Sequence, residues 1–305
     1  MPTAVIYSPA YECDIGPHVF PTEKFRLTLD RLVHDGLVAA DAAVEPGPAP
    51  RADLLRVHTE DYLQDLEQLR WTPRTQDSEL PLTAEIVRAY VHAASGTTVA
   101  ARAALAAGFG VNLGGGFHHA FADRAEGFCY LNDLAVAVRV LERDRAIRKA
   151  AIVDLDVHQG NGTARIFRDD PAVFTLSLHQ AANYPEPKER STLDVGLADG
   201  VGDAEYLATL DRALERVWAF EPEILLYQAG ADPYRDDRLG GLGLTLAGLE
   251  ERDRRVLEGS AQRAIPAVVT LGGGYARDVA DTVSIHARTC AIALELGRTG
   301  EKPKG

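Results

Sequence analysis

A chain of 305 residues is long enough for one large domain, and its 46% hydrophobic and 25% charged content is that of an ordinary globular protein. The net charge of −13 argues against nucleic-acid binding, where affinity comes from Lys and Arg on phosphates; it could steer cationic substrates, or serve solubility alone. No uninterrupted apolar stretch reaches the roughly 18 residues a membrane span needs, the first residues lack the basic and apolar runs of a secretory signal, and three cysteines without CxxC spacing suit a reducing cytoplasm.

Short apolar runs alternate with helical patterns along the whole chain. Residues 3–7 read as a strand, and 22–35 and 51–70 have helical spacing. The segment 45–50 reads as a surface turn. An Ala-rich helix is expected at 83–107, stopped by Gly108. Then follow a strand at 110–113, a helix at 131–142, a strand at 150–155, a short helix from 162 to 167 and a strand at 172–178. A helix at 204–220, a strand at 224–228, a helix at 246–263, a strand at 267–271 and a helix at 279–296 complete the series. Such alternation predicts a mostly parallel sheet with helices on both faces. The chain is expected to form one domain over residues 1–298, with a flexible tail at 299–305.

Open parallel sheets bind ligands beyond the carboxyl ends of their strands. The polar residues sit there. VNL runs into GGGFHH, AIVDL into DVHQGNG, FTLSL into His179, ILLYQ into AGAD, and VVTL into GGGY. Asp156 and His158, two apart at a strand end, share a face. With Asp232 they form a candidate Asp/His/Asp metal set that leaves a position open for water. Zinc fits such a set, and Fe(II) or Co(II) are chemically compatible with its hard oxygen ligands. Each carboxylate alone could equally be a helix or turn cap. His118 and His119 follow three glycines, which permit a tight turn and close approach to a ligand. Their imidazoles suit proton transfer, and each needs a partner on its other nitrogen. Tyr275, after a second triple glycine, can donate to a developing oxyanion, though most tyrosines are packing residues. Together these groups suit metal-assisted hydrolysis of a carbonyl. There is no G-x-S-x-G elbow, no GxxxxGK[ST] loop, and neither glycine run has dinucleotide-binding spacing.

At LGGGFHHAF, GFCYLNDLAVA, DLDVHQGNGT, SLHQ, YQAGADPYRDDRLGGLGLT and VTLGGGYA the chain resembles the histone deacetylase superfamily, from about residue 7 to about 294. HQGNG and DRLGGL look most like the class IV branch and its bacterial relatives. The resemblance implies the arginase–deacetylase fold: a single three-layer α/β/α domain around a mostly parallel, roughly eight-stranded sheet. It implies zinc on Asp156, His158 and Asp232, His119 as general base and later acid, His118 as its electrostatic partner, and Tyr275 polarising the scissile carbonyl. Asp154 matches the carboxylate behind His118. Asn161 stands behind His119, where many members carry Asp, and a neutral amide raises imidazole basicity less than a carboxylate. Phe128 and Tyr184 match tunnel walls, Gly127 a carbonyl that accepts from the substrate, Leu244 a rim position, and Gly273 joins the substrate-binding set. Cys129 matches the inner cavity lining.

The resemblance further implies a structural potassium ion on Asp154 and Ser177, with backbone oxygens of Asp156, His158 and Leu178. A second, peripheral cation would use carbonyls of Phe167, Asp170 and Val173. The implied activity is removal of acetyl or longer acyl groups from acyl-lysine in proteins or peptides by a cytoplasmic enzyme. Acetylpolyamines or other acylated amines are the alternative substrates, against which Leu244 argues because an acidic rim residue would favour polyamines. A catalytically dead binding module would lack a ligand, base or tyrosine, and this chain lacks none. Arginase-like chemistry would need additional Asp and His ligands. Beyond an acylated protein, peptide or small amine as substrate, no nucleic acid or membrane is expected as partner, and the sequence indicates neither a protein partner nor an oligomeric state.

Overall fold

The computed structural model describes residues 3–299. Beyond Thr299, the tail expected at 299–305 lies outside the described residues. The strands are β1 (Ala4–Ile6), β2 (Phe109–Asn112), β3 (Ala150–Asp154), β4 (Val173–Gln180), β5 (Leu193–Leu197), β6 (Ile224–Gln228) and β7 (Ala267–Thr270). The helices are α1 (Lys24–His34), α2 (Arg51–Leu54), α3 (Glu60–Glu67), α4 (Ala84–Ala107), α5 (Asp133–Arg143), α6 (Asn161–Ile166), α7 (Asp203–Ala219), α8 (Leu246–Gln262) and α9 (Val279–Thr299). All strand pairs are parallel, in the order β1-β2-β7-β6-β3-β4-β5.

The pleat sorts side chains to two apolar layers. Ala151, Val153, Leu225, Tyr227 and Val269 face one core, built with Leu32 of α1, Leu210 and Leu214 of α7, Val256 and Leu257 of α8 and Ile292 of α9. Ala150, Ile152, Ile224, Leu226 and Val268 face the other, built with Ala100 and Ala104 of α4 and Leu134 and Val138 of α5. Strands apolar on both faces belong in a covered parallel sheet. The helix ends follow local chemistry. Thr83 caps α4 by accepting from Ile86 N at 3.2 Å, Asn132 caps α5 by accepting from Ala135 N at 3.0 Å, and Gly108, at φ 91°, ends α4.

The sheet has seven strands among the described residues, in keeping with the mostly parallel, roughly eight-stranded sheet expected. Beyond β1 only one bridge forms, between Ile6 and Val44, because Pro46, Pro48 and Pro50 follow and cannot donate to a ladder. The helix expected at 51–70 is broken into α2 and α3. Between them His58 turns inward: its Nδ1 lies 3.0 Å from Phe121 O and its Nε2 accepts from Asn132 N at 3.1 Å. The β5 edge strand was not foreseen, since LDVGL carries an Asp and a Gly and is only partly buried. His179, expected just past β4, lies within it.

The strand order puts β2, β7, β6 and β3 side by side, so their carboxyl-end loops converge. The β2 loop is held from the side by Asp133, at the start of α5. Its carboxylate accepts from Gly116 N (3.0 Å), Phe117 N (2.8 Å) and Thr97 Oγ1 (2.5 Å). Burial raises the Asp133 pKa, and these donors oppose the rise. Asp133→Ala strands the buried donors of Gly116 and Thr97 and the part-buried Phe117 N–H, at roughly 1–3 kcal/mol each. Urea unfolding is therefore expected to register a loss of about 3 kcal/mol or more; a loss below about 1 kcal/mol would contradict this role.

Candidate metal centre and active-site pocket

The loop after β3 carries Asp156 and His158, and the loop after β6 carries Asp232. The two strands are neighbours, with Asp154 paired to Gln228 in register. One ligand atom from each of Asp156, His158 and Asp232 lies within 4.8 Å of the others, and all three residues are buried. Asp156 Oδ2 accepts from Gln228 Nε2 (2.8 Å) and Gly273 N (2.9 Å). Asp232 Oδ1 accepts from Val157 N at 2.9 Å, whereas Asp232 Oδ2 is buried with no hydrogen-bond partner. A Cβ at Gly273 would fall 2.1 Å from that free oxygen. A buried Asp232 oxygen with no hydrogen-bond partner, 3.3 Å from His158 Nδ1 and beside a second carboxylate, fits a divalent cation.

Burial disfavours charge on His158, but Asp156 and Asp232 outweigh it and raise its pKa to about 10. Burial and then the Asp156 charge raise Asp232 to about 7. Burial acts against Asp156 as well, yet His118 and His158 hold it well below the usual carboxylate range.

The glycine loop after β2 brings in the two histidines. Gly115 and Gly116 have φ of 83° and 88°, and a Cβ on Gly116 would meet Gly272 Cα at 2.8 Å, so the two triple-glycine loops touch backbone to backbone. His118 Nδ1 lies 2.6 Å from Asp154 Oδ2, and His119 Nδ1 lies 2.7 Å from Asn161 Oδ1. Their surroundings separate them. Burial disfavours charge on His118, but Asp154 and Asp156 overcome it and lift the pKa to about 9. Burial, then the His118 and His158 charges, push His119 far below the usual histidine value. Burial and neighbouring charge thus push the two rings in opposite directions, their centroids 4.0 Å apart.

Tyr275 leaves the β7 loop with its backbone N donating to Asp237 Oδ2 at 2.7 Å. It lines one pocket together with His119, His158, Gly127, Phe128, Asn183, Tyr184, Leu239 and Glu79. Tyr184 packs edge-on against His119 with centroids 5.0 Å apart. Gly127, at φ 49°, is required: a Cβ there would sit 2.7 Å from His119 Cδ2 and 3.0 Å from Tyr184 Cε1. Beneath the site, the fully buried Lys24 donates to Gly272 O at 2.7 Å.

One expected pocket residue is misplaced. Leu244 is not at a rim; it is fully buried in the core, and Leu239 lines the pocket instead. Asp237 accepts from Leu239 N (2.8 Å) and Gly240 N (3.0 Å) and so turns Leu239 toward the mouth. The signal was present in DRLGGLGL, which offers three leucines. Asp154 and Ser177 are register partners on β3 and β4, and Ser177 Oγ lies 3.0 Å from His179 Nδ1. Gly273 donates its N–H to the metal cluster rather than lining the pocket. Gln228, Asp237, Lys24 and Glu126 were not singled out in sequence; each is an isolated polar residue whose role appears only through a distant partner.

These features define an α/β protein whose parallel sheet presents a buried Asp/His/Asp candidate metal site beside a histidine pair and a tyrosine. A model of the histone deacetylase domain matches residues 18–290, and the chain belongs to that family. It is 42% identical to an uncharacterized protein of Picosynechococcus sp., over 92% of this chain and 95% of that one. It is 33% identical to histone deacetylase 2 of Arabidopsis thaliana, over 92% and 77%. The crystal structure of a histone deacetylase homologue complexed with SAHA superposes with a TM-score of 0.82 at 26% identity, covering 96% of this chain and 84% of that one.

A metal ion takes neutral imidazole and ionised carboxylates. His158 holds a proton below pH about 10 in the metal-free site, so metal uptake is expected to release protons, and affinity to rise with pH across the neutral range. Calorimetric titration in buffers of different ionisation enthalpy measures this. An affinity independent of pH between about 6 and 9 would contradict it.

Proposed function

We propose that this chain is a zinc-dependent hydrolase removing acetyl or longer acyl groups from the side-chain amine of acyl-lysine in proteins or peptides. The observation that carries the reading is one pocket lined jointly by His119, His158 of the candidate metal site and Tyr275. A divalent ion on Asp156, His158 and Asp232 would supply Lewis acidity, polarising an acyl carbonyl and acidifying water. Zn2+ is the ion proposed, with Fe2+ or Co2+ compatible with the same ligands.

The chain's own groups do the rest. His119 Nε2 takes a proton from the attacking water and returns it to the departing amine. His118, held cationic by Asp154, faces the negative charge that builds. The Tyr275 hydroxyl donates to the carbonyl oxygen as it gains charge. Phe128 and Tyr184 would wall the acyl-lysine stem, and the Gly127 carbonyl would accept from its amide. The chain is proposed to hold structural potassium at Asp154 and Ser177, with backbone oxygens of Asp156, His158 and Leu178, and a second cation on carbonyls of Phe167, Asp170 and Val173. The cysteines Cys13, Cys129 and Cys290 are free and buried, in keeping with a reducing cytoplasm. No helix among the described residues is long and apolar enough to cross a membrane.

Glu79, an exposed carboxylate at the pocket mouth, favours a second substrate class. It suits a further cationic amine, as in acetylpolyamines. Lysine peptides carrying acetyl to myristoyl groups, assayed beside acetylputrescine and acetylspermidine, decide between the two. A kcat/KM higher on the polyamines than on every peptide would reject the lysine reading.

His119→Ala is expected to lower kcat by roughly 10²–10⁴-fold while one equivalent of metal stays bound. Tyr275→Phe is expected to lower kcat by roughly 10²–10³-fold with little change in KM. Retained activity in either variant removes the corresponding role.

A further inference from the structure

The amide behind His119 is itself held by a carboxylate. Asn161 Nδ2 donates to Glu126 Oε1 at 2.5 Å, while Asn161 Oδ1 faces His119 Nδ1 at 2.7 Å. The same Glu126 oxygen accepts from the Tyr184 hydroxyl at 3.1 Å. Its second oxygen lies 3.3 Å from the Arg124 guanidinium. Glu126 thus touches neither the pocket's reacting end nor the metal cluster, but it grips both neighbours of the His119 ring.

The asymmetry of this arrangement has a chemical consequence. The two ends of an asparagine amide have nearly the same shape, and His119 alone would accept either. Glu126 Oε1 accepts from the Tyr184 hydroxyl as well, and its second oxygen faces the Arg124 guanidinium, so this carboxylate demands the NH2 end. The oxygen end is therefore left for His119, whose Nδ1 must carry the hydrogen. A neutral ring with its hydrogen on Nδ1 has its lone pair on Nε2, free to take a proton. The reversed amide would place the hydrogen on Nε2 and leave no base.

We propose that Glu126 is a positioning residue for proton transfer, selecting the His119 tautomer through Asn161 and anchoring the Tyr184 wall against the same ring. The inference rests on His119 being the general base. The carboxylate absent beside His119 is supplied one hydrogen bond further out.

The test is a double-mutant cycle in the metal-loaded enzyme. Glu126→Gln keeps the shape but offers an amide that can pair either way round, so kcat should fall tenfold or more with KM within twofold. Asn161→Asp gives His119 a carboxylate directly and sets a like charge against Glu126. In that background Glu126→Gln should raise kcat, because it removes the repulsion and tautomer selection no longer needs Glu126. The ¹⁵N shifts of His119 should place the hydrogen on Nδ1 in the native enzyme and on a mixture of both nitrogens in Glu126→Gln. The same fractional loss in both backgrounds, or an unchanged tautomer, overturns the proposal. An unchanged kcat in Glu126→Gln beside an inactive His119→Ala overturns the relay alone. Retained activity in His119→Ala overturns the base reading on which it stands.

Discussion

Two buried carboxylates held side by side are the constraint on which the rest of this structure depends. Asp156 and Asp232 cannot both ionise in a dry interior without compensation. The surroundings are arranged to supply it: His158 bonds to Asp156, Gln228 and the Gly273 N–H donate to Asp156, and the Val157 N–H donates to Asp232. One oxygen of Asp232 has no hydrogen-bond partner and lies 3.3 Å from His158 Nδ1, the point at which a cation would complete the balance. Adjacent parallel strands deliver both acids to one spot with their backbones already fixed.

That spot is crowded, which explains the two triple-glycine runs. Neighbouring loops from β2 and β7 meet backbone to backbone, and a side chain on Gly116 or Gly273 would strike Gly272 or the Asp232 carboxylate. The glycines let charged side chains approach from the strands beneath. Asp133 then replaces the rigidity that glycine removes, gripping the β2 loop through its amides. Close approach and imposed order are complementary devices, and the histidine pair depends on both.

Much of this was legible before any tertiary contact was known. The apolar runs of β2, β3, β6 and β7 stand out because strands covered on both faces are apolar throughout. β5 was silent because a half-exposed edge strand needs no such run. The helical spacing of 51–70 misled because periodicity does not register that His58 is drawn inward between Phe121 and Asn132. In the site, the residues on motif-bearing strand ends could be read: Asp156, His158, Asp232, His118, His119 and Tyr275. Leu244 was chosen over Leu239 because chain order alone cannot say which leucine of a glycine-rich turn faces a pocket.

The sequence by itself determined the alternation of strands and helices, the positions where polar groups leave the strands, and the family to which the chain belongs. Those are local properties, set by periodicity and by residue chemistry over a few positions. Only the tertiary structure decided the order β2-β7-β6-β3, the charge separation of His118 from His119, and the placement of Glu126 behind Asn161. Each of these depends on groups distant in the chain meeting in a medium of low dielectric, where burial and a single neighbouring charge set which groups hold a proton.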